Sequence, residues 1–375
     1  MLMHRIPRIR RIQCRVLGLL ASLLLMAPVF ASELRIGSSA VLSGPAAALG
    51  QRYHAGARAL FEQVNHQGGI AGSRIVVDLR DDGYEPERAE ANTRQLVEDP
   101  RVLALFGYVG TPTSRVALPY VRRTGLAFLG AFTGVDMLWD PVYTSVFNVR
   151  ASYRDEAQAL ARAMKAAGVR RYQVVYQADL FGRVGLEAMR AATDAQGVAL
   201  AGSATVKRNS TEVGDSVTAM LGQPGGADAI FLVSSYETCA AFIKQARQRG
   251  FQGHFYTLSF AGLEPLRAAL GRDARELTMT QVVPDPEDTS LPVVAAYQNA
   301  MREAGEKHFD SISLEGYIAA RVLVEGLRRA VPPLTRERVV QGLEAIGKLD
   351  LGGFTVHYRR GAHKGSSRVG LRSGH

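Results

Sequence analysis

Two short stretches carry residue types that could hold a small anionic group: Phe106-Gly107-Tyr108-Val109-Gly110-Thr111-Pro112-Thr113 and Gly130-Ala131-Phe132-Thr133-Gly134. Each lies where an apolar run gives way to small and hydroxyl-bearing residues. At the C-terminal edge of a parallel sheet such a place opens into a crevice, and a helix beginning there directs unpaired N–H groups at its contents. The same small residues also let a backbone turn. Each stretch taken alone therefore reads equally as a binding edge or as a plain strand-to-helix loop.

Bond-making chemistry has less support. The chain lacks G-x-G-x-x-G, G-x-x-x-x-G-K-[ST], G-x-S-x-G and H-E-x-x-H, which argues against an enzyme and leaves no catalytic residue to name. His54, His66, His254, His308, His357, His363 and His375 are scattered, with no pair at metal-ligand spacing on a shared helix face, so no metal and no cofactor is expected. Asp81-Asp82 and Asp285, Glu287 and Asp288 fall in turns and a Pro-rich loop and read as solvated turn acids. Of the two cysteines, Cys14 precedes the body of the chain. Cys239 sits beside Ala240, Ala241 and Phe242 and reads as a small buried hydrophobe.

The elements that must position the two stretches follow from periodicity. Leu34 to Val41 alternates as a strand and leads through Ser43-Gly44-Pro45 into a helix carrying Tyr53, Ala57, Leu60, Phe61 and Val64, which Gly68-Gly69 ends. A strand at Ile75 to Leu79, a helix from Pro86 to Glu98, a strand at Val102 to Phe106, a helix at Thr113 to Arg123 and a strand at Leu126 to Leu129 come next. Both stretches thus fall at strand C-termini. Beyond Asn148 the alternation restarts, with helices at Asp155 to Ala167, Val184 to Gln196, Val213 to Leu221 and Glu237 to Arg249. Strands at Tyr172 to Tyr176, Val198 to Thr205, Ala229 to Val233 and His254 to Leu258 lie between them. After Pro284 come helices at Leu291 to Ala304, Ser313 to Arg329 and Thr335 to Ile346, then a late strand at Phe354 to Tyr358. Such βα units predict an α/β protein with two parallel sheets and a cleft where two lobes meet.

The 375 residues suit about two domains. Arg5, Arg8, Arg10, Arg11 and Arg15 precede an uncharged run from Val16 to Met26 and the segment Ala27-Pro28-Val29-Phe30-Ala31. That is a basic region, a short apolar region and a small-residue cleavage site before Ser32, so residues 1–31 read as a cleaved signal peptide and the mature chain as exported. The apolar run falls short of the roughly 20 residues of a membrane span. The formal charge of +10 is concentrated at the two ends. Removing those five arginines and Arg359, Arg360, Lys364, Arg368 and Arg372 from the 45 Lys and Arg leaves 35, against 35 Asp and Glu. A near-neutral body excludes nucleic acid as the main partner. The Gly, Ser and Arg content of the last stretch predicts a frayed end.

Ser43-Gly44-Pro45, Asn65-His66-Gln67-Gly68-Gly69-Ile70-Ala71-Gly72, Asp81-Asp82 and Gly107 to Thr113, in that order and spacing, resemble the leucine/isoleucine/valine-binding branch of the type I periplasmic solute-binding proteins of ABC transporters. The likeness runs on through Asn148-Val149-Arg150-Ala151-Ser152-Tyr153, Gln177 to Arg183 and Leu314-Glu315-Gly316-Tyr317 and covers essentially the whole mature chain. It implies two Rossmann-like lobes joined by three hinge crossings, near Ala151, Val283 and Gly352. The first lobe would hold residues 32–151 and 284–351, the second 152–283 and 352–375. It also implies a periplasmic monomer that closes on a small ligand and hands it to a membrane permease with its ATPase.

Carried over by position, the resemblance makes Thr111 and the segment Ala131, Phe132 and Thr133 the donors to a ligand carboxylate, with Ser43, Tyr108 and Thr113 beside them. From the second lobe it implies Phe181 and Tyr236 as aromatic cover, with Tyr153 and Ser259 near the place where an acid would meet an α-ammonium. Ser259 is a departure, because relatives that bind α-amino acids usually have glutamate there. The ligand is then either an amino acid or an aromatic or branched organic acid without the ammonium. Arg150, at the first crossing, faces either the cleft or a structural salt bridge. Transport is the leading function; a ligand-sensing module signalling to a membrane partner is the alternative, and an exported enzyme would need a reactive constellation that is missing.

Overall fold

The computed structural model describes residues 32–373; the expected signal peptide, residues 1–31, lies outside the described residues. The first sheet has the order β2-β1-β3-β4-β5, all parallel, built from β1 (Ser32–Ala40), β2 (Ser73–Asp81), β3 (Val102–Phe106), β4 (Ala127–Leu129) and β5 (Val146–Phe147). Its central strand β3, Val-Leu-Ala-Leu-Phe, is buried at every residue, as expected of a parallel strand covered on both faces. The connecting helices are α1 (Ala47–His66), α2 (Pro86–Glu98) and α3 (Thr111–Thr124). Pro86 takes the first-turn position of α2, where its missing N–H costs nothing.

The chain then crosses to a second sheet through α4 (Tyr153–Ala166), whose N-terminus is fixed by a capping box: the Asp155 amide donates to Ser152 Oγ at 3.1 Å and the Ser152 amide to the Asp155 carboxylate at 2.8 Å. Strands β6 (Arg171–Gln177), β7 (Ala199–Val206), β8 (Ala229–Val233), β9 (His254–Thr257) and β10 (Leu277–Gln281) pair in parallel in the order β10-β9-β8-β6-β7. Helices α5 (Leu180–Asp194), α6 (Gly214–Leu221), α7 (Tyr236–Gln248) and α8 (Leu263–Leu270) connect them. Cys239 is buried on α7, where burial pushes its thiol up to about 12.

After β10 the chain returns to the first sheet. Helix α9 (Pro292–Glu303) and helix α10 (Ser311–Arg329) pack on α1, and α11 (Arg336–Glu344) packs on α10 and β3. The α1–α10 crossing is a backbone contact. A Cβ on Gly56 would lie 1.8 Å from the Ser313 carbonyl oxygen, and one on Gly316 1.9 Å from that of Tyr53. The three-stranded antiparallel sheet of β11 (Lys348–Asp350), β12 (Thr355–Arg359) and β13 (Ala362–Gly365) follows, with the Asn148 amide donating to the His363 carbonyl at 2.9 Å.

The expected frayed end is not found. β14 (Gly370–Ser373) runs antiparallel to β10 as the outer strand of the second sheet, with Leu371 opposite Thr280 and Arg372 bonded to Asp285. A strand taken up by its ladder partner requires backbone groups, not an apolar pattern of its own. Truncation after Val369 exposes the edge of β10, and we expect a lower urea midpoint and, by native-state hydrogen exchange, loss of protection at Thr278 to Gln281 with the first sheet unaffected.

Candidate functional site

The two opening stretches pair with each other. Val109 bridges to Phe132 in parallel, the Phe132 amide donates to the Tyr108 carbonyl at 2.7 Å, and the Gly110 amide to the Phe132 carbonyl at 3.1 Å, so the sheet continues past the ends of β3 and β4. Helix α3 begins there at Thr111 with no side chain capping it and no acid in its first turn. Its first-turn amides and the positive end of its dipole face the junction of the two sheets.

Three hydroxyls form a chain across this junction. Thr111 Oγ1 lies 2.7 Å from Thr133 Oγ1, and Thr133 Oγ1 lies 3.1 Å from the hydroxyl of Tyr153, the first residue of α4. All three residues are fully buried, and burial pushes the Tyr153 phenol up to about 12, so it remains a neutral donor. Beside them Phe260 is the centre of an aromatic cluster that draws on both lobes. Its ring centroid lies 4.6 Å from Phe181, 5.7 Å from Phe132 and 5.9 Å from Tyr84, while Tyr153 and Phe181 are 5.3 Å apart. Tyr84 is held with φ at +62°, a strained conformation for a bulky residue, and Gly110 leaves room for its ring: a Cβ there would be 2.2 Å away.

Behind Phe132 lies a buried charge cluster. The Arg150 guanidinium sits 4.9 Å from the Phe132 ring centroid and is not exposed at all. Its Nη2 donates to Glu156 Oε1 at 3.3 Å and to Ser259 Oγ, and its Nη1 is 3.4 Å from Glu315 Oε1. The other Glu156 oxygen accepts from the Ser259 amide at 2.9 Å and from Thr280 Oγ1. Burial opposes the charge on Arg150, but Glu315 and Glu156 outweigh it and its pKa is raised; burial pushes Glu315 up to about 7. Of the two readings of Arg150, the structure places it in the ion pair.

The remaining expected residues stand apart from the hydroxyl chain. Tyr108 turns back into the first lobe, its hydroxyl 2.9 Å from Thr93 Oγ1 and its ring against Phe128. Thr113 Oγ1 bonds the carbonyls of Val109 and Gly110 within its own helix turn. Ser43 Oγ donates to Asp81 at 2.6 Å on the surface. Ala131 supplies backbone, its carbonyl accepting from the Thr133 amide at 2.8 Å. Tyr236, at the start of α7, reaches across to the backbone N–H of Ala48 in the first turn of α1. Tyr84, Phe260, Glu156 and Glu315 were not foreseen. Phe260 follows the singled-out Ser259, Tyr84 follows Asp81-Asp82-Gly83 and Glu315 lies in the quoted Leu314-Glu315-Gly316-Tyr317, but Glu156 carries no local signal.

A polar clasp closes one side of the junction. Arg208, after β7, bonds Glu85 at 2.8 Å and Asp179 at 3.1 Å, and Asn209 Nδ2 bonds Glu85 at 2.7 Å and the Gly83 carbonyl at 2.9 Å. Asp82 in the same loop is not the solvated turn acid expected. It is fully buried, accepting from Ser39 Oγ at 2.8 Å and from the Tyr84 amide at 2.8 Å, because it must hold Tyr84 in place. Among the described residues no group of three or more His, Cys, Asp or Glu is arranged to hold a metal. Two grooves, of about 730 Å³ between α4 and α5 and about 740 Å³ between α1 and β2, are not lined by Thr111, Thr133 or Tyr153, although the first reaches their chain neighbours Val135 and Arg154.

What this arrangement offers chemically is neutral donors, an uncapped helix N-terminus and apolar ring faces, a combination suited to one carboxylate on an apolar body. A family model described as periplasmic binding protein matches residues 33–371. The structure is similar to that of a possible leucine/isoleucine/valine-binding protein from Rhodopirellula baltica, with 33% identity, 92% of this chain and 95% of that one covered, and a TM-score of 0.87. It is also similar to a substrate-binding periplasmic protein from Ralstonia solanacearum, at 30% identity, 90% and 96% coverage and a TM-score of 0.83. A Leu/Ile/Val-binding protein homolog from Brucella suis is 23% identical over 342 residues, 87% of this chain and 84% of that protein.

Two outcomes follow from this geometry. Arg208→Ala removes the clasp, and we expect a larger radius of gyration by small-angle scattering with the unfolding free energy changed by less than about 1 kcal/mol, since the pair is partly exposed. Burial pushes Asp82 up to about 6 from 3.8. A carboxyl raised by folding contributes its full stability below about pH 4 and loses it as the pH rises through 6. The stability of Asp82→Asn relative to the natural protein therefore grows from pH 4 to pH 7, reaching about 1–3 kcal/mol in urea titrations.

Proposed function

This chain belongs to the periplasmic binding protein family, and we propose that it is the extracytoplasmic solute-binding component of an ABC uptake system. Its two lobes close on a small carboxylate-bearing solute, an amino acid or an aromatic or branched organic acid, and deliver it to a permease. The observation that carries this reading is the hydroxyl chain Thr111–Thr133–Tyr153 at the open N-terminus of α3, because it draws donors from both lobes onto one point. The names of the Rhodopirellula and Brucella relatives support an amino-acid-like solute. The basic and apolar N-terminal segment supports export to the periplasm, and the absence of a sufficiently long apolar helix among the described residues is consistent with the lobes standing outside the bilayer.

In this reading, closure is a population shift driven by contacts that exist only when both lobes touch the solute. The hydroxyls give up their bonds to one another and donate to the carboxylate. Each charge-assisted bond contributes about 1.5–3 kcal/mol in such a partly dry place. Phe181, Phe132, Phe260 and Tyr84 enclose the apolar body. Thr111→Val and Thr133→Val keep the side-chain volume and remove one donor each. Each is expected to weaken binding of a stabilising carboxylate, found by thermal-shift screening, by about 10-fold to 100-fold in calorimetry. Unchanged affinity in both variants would move the carboxylate elsewhere.

A further inference from the structure

Five carboxylates at the junction between the lobes, Glu156, Glu315, Glu85, Glu264 and Asp179, each have a partner from the chain itself. Glu156 is taken by Arg150, Thr280 and the Ser259 amide, and Glu315 faces Arg150 at 3.4 Å. Glu85 is taken by Arg208 and Asn209, and Glu264 on α8 by the amide and hydroxyl of Ser311 at 3.1 and 2.9 Å. Asp179, beside Phe181, accepts from the Phe181 amide at 3.0 Å and from Arg208. The groups facing the aromatic cluster are therefore hydroxyls, amides and ring faces, with a fixed guanidinium directly behind Phe132.

We propose that Arg150 determines the class of solute: by holding Glu156 and Glu315 and bonding Ser259, it places a fully buried cation at the junction and engages the two carboxylates closest to it. The site then takes carboxylates without an α-ammonium, such as branched or aromatic 2-oxo acids, in preference to the corresponding amino acids. This rests on the carboxylate reading given above. An ammonium brought into the junction loses its water, meets Glu156, Glu315, Glu85, Glu264 and Asp179 already engaged by the chain, and lies near a guanidinium of like charge. A 2-oxo group asks only for donors, which the threonine and tyrosine hydroxyls provide.

The test uses matched pairs on the purified chain: leucine against 4-methyl-2-oxopentanoate, and phenylalanine against phenylpyruvate, by calorimetry. The 2-oxo acid is expected to bind about tenfold or more tightly than its amino acid in at least one pair. Arg150→Lys keeps a cation and is expected to retain the preference. Arg150→Gln frees Glu156 and Glu315, and the preference should collapse or reverse. An amino acid that binds as tightly as its 2-oxo acid, or more tightly, overturns the proposal while leaving the carboxylate reading intact. Failure of every carboxylate to bind overturns both. If Arg150→Gln does not fold, the ratio in the natural protein decides alone.

Discussion

A guanidinium with no solvent exposure is the constraint around which the junction is built. Arg150 belongs to the chain's first crossing between lobes, Glu156 to the first helix of the second lobe and Glu315 to a helix packed on the first. Taking such a charge out of water is costly, and removing one partner from a buried pair typically costs about 3–5 kcal/mol, so the three residues must stay together. Ser259 and Thr280 join them from the second sheet. A buried ion cluster of this kind adds little net stability compared with packed apolar side chains. What it does is join three segments far apart in the chain at one point.

Around that fixed point the work divides by chemistry. Apolar contact between the lobes runs through Phe260 and its aromatic neighbours, polar contact through the three hydroxyls, and charge through the clasp at Arg208. In the first lobe α1 and α10 approach backbone to backbone at Gly56 and Gly316, so that any side chain there would collide with the facing helix. The loop from Asp81 to Glu85 stores strain at Tyr84 and stabilises it with the buried Asp82 carboxyl. Strain, a buried acid and an interlobe ion pair within five residues mark this loop as a part of the molecule shaped by more than the need to turn.

Much of the fold could be read directly. The helix at Pro86–Glu98 and the strands at Val102–Phe106 and Ala229–Val233 have the bounds that their proline, periodicity and apolar runs indicated. Thr111, Thr133, Tyr153 and Phe181 come together because each starts or precedes a helix at a strand's C-terminal edge, a position that alternating βα units reveal. The pairs missed were those set by distance alone: Arg150 with Glu315, and Arg208 with Glu85, are separated by more than a hundred residues and leave no local pattern. Val146–Phe147, Leu277–Gln281 and Gly370–Ser373 escaped notice because they are short or polar, and a neighbouring strand specifies them.

The last of these strands also says something about how the molecule is made. A chain synthesised from its N-terminus offers β10 well before its partner β14 exists, so the second sheet waits with one ladder of N–H and C=O groups unmatched until Gly370 to Ser373 arrive. The order of assembly is therefore built into the topology. Neither half closes on its own stretch of chain: the first sheet waits for α9, α10 and α11 to cover it, and the second for β14, so the segment after β10 is a closing stitch for both.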